Sequence, residues 1–80
     1  MDDQDISDKI ERLEAERERL RRAESEEPAP DNARSRLQEI TVELDQAWDL
    51  LRQRRALRAA GSDPDDAAER AADTVEGYWQ

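Results

Sequence analysis

Leu37, Ile40, Leu44, Ala47 and Leu51 recur at spacings of 3, 4, 3 and 4, and Ile6, Ile10, Leu13, Arg17 and Leu20 at 4, 3, 4 and 3. Each set is a heptad stripe down one side of an α-helix, a spacing that a β-strand, with its faces alternating every second residue, cannot use. Between the stripes, Ser25-Glu26-Glu27-Pro28-Ala29-Pro30 carries two prolines that forbid a continuous helix. Read toward each other, the stripes pair as Leu20/Leu37, Arg17/Ile40, Leu13/Leu44, Ile10/Ala47 and Ile6/Leu51, and the numbers in every pair add to 57. A constant sum is the register of two antiparallel helices. The chain therefore reads as all-α, an antiparallel helical hairpin with a coiled-coil-like seam.

Composition alone points elsewhere. Leu, Ile, Val and Phe make up only 12 of 80 residues and the net charge is −9, the balance of a disordered chain. The two stripes outweigh it, and the helix ends are marked as well. Asp2, Asp3, Asp5 and Asp8 crowd the start of the first stripe and Arg19, Arg21 and Arg22 its end, as the helix dipole favours. These signals predict a helix over residues 4–24, a loop over 25–31 and a second helix over 32–60, capped by Asp31 before it and Gly61 after it. Net charge runs −6 over residues 1–31, +2 over 32–60 and −5 over 61–80, so the acidic start of the first helix should lie beside the arginines at 52–58.

The last segment opens on Asp63-Pro64-Asp65-Asp66, a helix start with cap, proline and first-turn acids in order. A short Ala-rich helix is expected over residues 64–73, followed by a tail over 74–80 whose Val75, Tyr78 and Trp79 carry enough apolar area to dock. The whole is one small helical domain over residues 1–80. Trp48, Leu50 and Leu57 widen the apolar stripe of the second helix, and a hairpin this small buries too little to stand alone. Either the last segment folds back over that surface, or a second copy pairs to form a four-helix bundle.

Several function classes drop out. With no histidine and no cysteine there is no ordinary zinc site, histidine base or thiolate nucleophile, and no cofactor is implied. Asp63-x-Asp65-Asp66 lacks the glycine and the distal glutamate of a calcium loop, which leaves capping as its role. No apolar run approaches the length of a membrane span, and the acidic start is unlike a signal peptide, so a cytoplasmic chain is expected. Net charge opposes both an anionic membrane surface and direct nucleic-acid binding through the arginine cluster.

Four stretches resemble one known family: the opening Asp2-Asp3-Gln4-Asp5-Ile6, the block from Leu44-Asp45-Gln46-Ala47-Trp48-Asp49 through Leu50-Leu51-Arg52-Gln53-Arg54-Arg55, Gly61-Ser62-Asp63-Pro64-Asp65, and the ending Val75-Glu76-Gly77-Tyr78-Trp79-Gln80. This is a family of small actinobacterial proteins catalogued as domain of unknown function 2630. Its most specific parts are the Leu-Asp-Gln-x-Trp-Asp-Leu-Leu-Arg-Gln-Arg-Arg block and the Val-Glu-x-Tyr-x-Gln ending. The resemblance covers essentially the whole chain and implies no activity.

The candidate interaction residues are Trp48, Arg52, Arg55, Leu57, Val75, Tyr78 and Trp79. Trp48 with Arg52 and Arg55 reads either as an exposed face of hot-spot residue types or as structure, with Trp48 in the core, Asp45 and Asp49 paired to arginines one turn on, and Arg55 holding the acidic last segment. Val75, Tyr78 and Trp79 either close the core or form a linear docking peptide. Arg17 is either a register device reaching Glu39 or Glu43, or a side chain snorkelling to solvent. The chain is thus expected to be a non-enzymatic protein–protein interaction or assembly module, with an unidentified protein or a second copy as partner. The alternative is an acidic decoy imitating nucleic acid in a basic cleft. A continuous carboxylate face would mark the decoy, and a Trp-containing patch the interaction module.

Overall fold

The computed structural model describes residues 2–25 and 31–69, the side chain at position 31 excepted. Helix α1 spans Asp3–Ser25 and α2 spans Asp31–Ala59, and a 3₁₀ turn follows at Pro64–Asp66. Both helices fall within a residue or two of the expected bounds.

Local chemistry sets the ends. Asp2 and Asp5 form a reciprocal box at the start of α1: the Asp5 amide donates to Asp2 Oδ1 at 2.8 Å and the Asp2 amide to Asp5 Oδ2 at 3.2 Å. At the far end of α2, Gly61 takes a φ of 77°. The Ser62 amide reaches the Leu57 carbonyl at 2.8 Å and the Gly61 amide the Arg58 carbonyl at 3.1 Å, which is a Schellman closure. Gly61 is the C′ residue that the sequence implies, and its positive φ is why glycine stands there.

The seam is the core. Ile6, Ile10 and Leu13 of α1 cluster with Ile40, Leu44, Ala47 and Leu51 of α2, all buried, with Leu20 and Leu50 packed against them. Three of the five layers expected from the constant sum are apolar on both sides and buried. In the Arg17/Ile40 layer, Ile40 is fully buried and Arg17 half-buried. Leu20 and Leu37, in the layer nearest the loop, are both half-buried.

The third segment departs from the expected helix over residues 64–73. It makes one 3₁₀ turn and stops, because Ala67 is extended at ψ 142°. Asp63 does cap this turn, its carboxylate accepting from the Asp65 amide at 2.9 Å. What competes with helix is Gln53 of α2: its amide nitrogen donates to the Ala68 carbonyl at 2.7 Å and its amide oxygen accepts from the Ala68 N–H at 3.3 Å. Those backbone groups are the ones a helix would have used internally, so residues 67–69 lie along α2 instead. The Asp31 cap, residues 70–73 of the expected helix, and the docking of Val75, Tyr78 and Trp79 fall outside the described residues.

Candidate interaction surface

Arginines of α2 tie the hairpin together near both ends. Arg36 Nε and Nη2 donate to the two oxygens of Glu16 at 2.7 and 2.9 Å, a bidentate bridge from α2 to α1. Its Nη1 donates to Glu39 and Glu43, each at 3.2 Å. The Arg36 bond holds the Glu16 carboxyl below the ordinary carboxylate range, and the carboxylates in turn raise the guanidinium pKa. Arg36, not Arg17, is thus the cation that reaches Glu39 and Glu43. Arg17 makes no ion pair with another described residue.

At the other end, Arg54 is buried, with 6% of its surface exposed. Its Nε donates to Asp3 Oδ1 and its Nη1 to Asp65 Oδ1 at 2.9 Å and to the Pro64 carbonyl at 3.2 Å. Arg58 completes the clasp on Asp3 Oδ2 at 3.1 Å. One guanidinium therefore joins the start of α1, the end of α2 and the 3₁₀ turn. Its hydrogen bond is the main cause of the depressed Asp3 pKa, with Arg58 adding to it. The acidic start of α1 does lie beside these arginines, as charge patterning implies. Among the described residues it is Arg54 that holds the third segment, and Arg55 is exposed. Arg54 stands three residues after Leu51, at the next seam position, and pairs with Asp3 in the same register, since 54 and 3 also add to 57. A seam search confined to apolar residues stops one layer short of it.

Residues 64–69 lie along one flank of α2. At about 100° per residue, Gln53, Arg54 and Leu57 fall on the side that receives them, and Leu57 is half-buried there. Trp48, Arg52 and Arg55 fall on the opposite flank, within an arc of about 60°. Trp48 is 43% exposed and is the one large exposed hydrophobic among the described residues. It is not core. Behind it, Asp49 has no exposed surface and accepts from Arg52 Nη2 at 3.3 Å and Gln53 Nε2 at 2.9 Å. Arg52 is thereby held in place beside Trp48, its side chain about one third exposed. The structure thus brings Trp48, Arg52 and Arg55 together, sets Leu57 on the other flank, and leaves Val75, Tyr78 and Trp79 outside the described residues.

A concavity of about 510 Å³ on the first half of α2 is lined by Ser35, Gln38, Glu39, Val42 and Glu43. Glu39 and Glu43 there are engaged by Arg36. Among the described residues no group of acidic side chains could hold a metal ion, and no helix is long and apolar enough to cross a membrane. Asp63 and Asp65 are instead engaged in the turn cap and by Arg54.

Fold and surface together define a class: a two-helix antiparallel hairpin, clasped by arginines at both ends, with an aromatic–arginine patch on the Trp48 flank of its longer helix. Over residues 2–80 the chain matches the family described as "Protein of unknown function (DUF2630)", and it belongs to that family. The uncharacterized protein Rv0898c of Mycobacterium tuberculosis and the uncharacterized protein Mb0922c of Mycobacterium bovis are each 67% identical to it over 42 residues. Those residues are 52% of this chain and 48% of each relative, so the alignment spans about half the length of the curated relatives it matches. No solved structure matches the chain.

Proposed function

We propose that this chain is a non-catalytic interaction or assembly module that acts by presenting the Trp48 flank of α2 to a protein partner. The observation that carries this reading is Trp48: a large aromatic residue, 43% exposed, in the middle of a packed helix and flanked at one and two turns by arginines. Trp and Arg are the residue types that most often dominate interface energies. The acidic-decoy reading draws less support. A decoy needs free carboxylates in a line, and here Glu16, Glu39 and Glu43 converge on Arg36 while Asp3 and Asp65 converge on Arg54.

Affinity capture from an actinobacterial host, with wild-type chain and Trp48→Ala side by side, tests it. Trp48→Ala is expected to keep its helix content and to unfold within about 1 kcal/mol of wild type, as a surface substitution does. It should nevertheless lose the proteins that wild type retains. Equal recovery by both chains, or unfolding of the variant, would overturn the reading.

A further inference from the structure

The Trp48 flank of α2 carries a second heptad stripe. Thr41, Asp45, Trp48, Arg52, Arg55 and Ala59 recur at spacings of 4, 3, 4, 3 and 4, outside the seam with α1. Thr41, Trp48, Arg55 and Ala59 are exposed or nearly so, and Asp45 and Arg52 half-buried. A polar stripe at this spacing suits a helix partner lying lengthwise along it.

We propose that the partner on this stripe is a second copy of the same chain, its α2 running antiparallel about a two-fold axis at the level of Leu50. This rests on the reading of the Trp48 flank as an interaction surface and names its occupant. In that register Asp45 faces Arg55 of the other copy and Trp48 faces Arg52, because both pairs of numbers add to 100. The axis repeats each pair, giving two ion pairs and two guanidinium–indole stacks from one alignment. The neighbouring heptad registers fail. Shifted one way, Asp45 meets Trp48; shifted the other, Arg52 meets Arg55. A parallel pairing in register sets arginine on arginine. Only one arrangement is self-complementary, and it overlaps residues 41–59, about 27 Å of helix at 1.5 Å per residue.

Arg52 suits the stacking role. Its Nη2 is held by the buried Asp49 at 3.3 Å, and a guanidinium bonded at its edge can still stack on an aromatic face. Two chains of charge −9 repel one another at long range, so self-association needs a patch where opposite charges meet, and this stripe supplies one.

Sedimentation equilibrium of the full-length chain tests the proposal with Asp45→Arg, Arg55→Glu and their equimolar mixture. Both substitutions place good helix formers at positions outside the core, and circular dichroism checks that each variant keeps its helices. Wild type is expected to be a dimer. Each single variant sets like charges opposite at two symmetric places and should weaken dimerisation roughly tenfold or more. Mixing the two restores both ion pairs. On one side the two altered positions, 45 of one chain and 55 of the other, meet with their charges exchanged; on the other side the unaltered Asp45 and Arg55 meet as in wild type. The mixture should therefore recover the wild-type dimer as a heterodimer. A monomeric wild type overturns the proposal. So does a dimer indifferent to both variants, or one that mixing fails to restore. A monomer whose protein captures still depend on Trp48 would refute the second copy and leave the interaction reading standing; a dimer and captures both indifferent to Trp48→Ala would remove both.

Discussion

Replacing Arg17 with leucine should stabilise this protein. Arg17 occupies a seam position opposite Ile40, whose side chain is fully buried, yet the arginine makes no ion pair with another described residue. Its natural partners across the helices are taken: Glu16, Glu39 and Glu43 are all held by Arg36. The guanidinium therefore contributes little in the folded state, while its stem already covers part of the layer. Fully burying a leucine is worth about 1.5–3 kcal/mol. Because the position is half-buried and the stem is lost in exchange, the net gain should be about 0.5–1.5 kcal/mol. Helix propensity does not oppose it, since leucine and arginine are close. For a domain of this size 1 kcal/mol moves the melting temperature by about 4–8 °C. Thermal and urea unfolding followed by far-ultraviolet circular dichroism measures it, with sedimentation to show that the association state is unchanged. A lower melting temperature, or a change of association state, would refute the reasoning and make Arg17 a register device after all.

Ile40→Ala, at the same layer, should cost about 2–5 kcal/mol, a large share of what a chain of this length holds, and urea unfolding should show a population near the edge of folding. Arg54→Met should quicken amide hydrogen exchange over residues 63–69 while leaving the seam amides of α2 slow, because it releases Asp3, Asp65 and the Pro64 carbonyl together. Acid should do part of the same: Asp3 and Glu16 titrate lower in the folded chain than in the unfolded one, so the unfolded chain takes up their protons first as pH falls. The stability they confer is whole above the ordinary carboxylate range of about pH 4–5 and is lost on descending through it, and Arg54→Met should show a shallower loss between neutral pH and pH about 3. Gly61→Ala should cost about 1 kcal/mol by denaturation, because an added Cβ meets nothing within 4 Å and only the backbone φ of 77° opposes it.

The hairpin was legible because its signal is redundant. Ile6, Ile10 and Leu13 repeat against Leu44, Ala47 and Leu51 in one register, and two prolines and a glycine punctuate the elements. Arg54 was harder to see, although it occupies the next position of the same register, because a pattern built on apolar residues gives a charged residue no weight. The short third helix was overestimated for a different reason. Cap, proline and alanines are local signals, and they say nothing of Gln53, 15 residues earlier, whose amide takes the Ala68 backbone. Trp48 could be assigned to core or surface only from its exposure in the folded chain, and it lies on the flank of α2 away from residues 64–69.

A photo-reactive phenylalanine analogue placed at position 48, and separately at Arg12 and Arg19 on the exposed back of α1, tests the central claim in the native host. Irradiation should give a discrete adduct from position 48 and none from the two α1 positions. A matching adduct pattern from all three, or adducts from α1 alone, would contradict the assignment of the Trp48 flank as the surface through which this chain works.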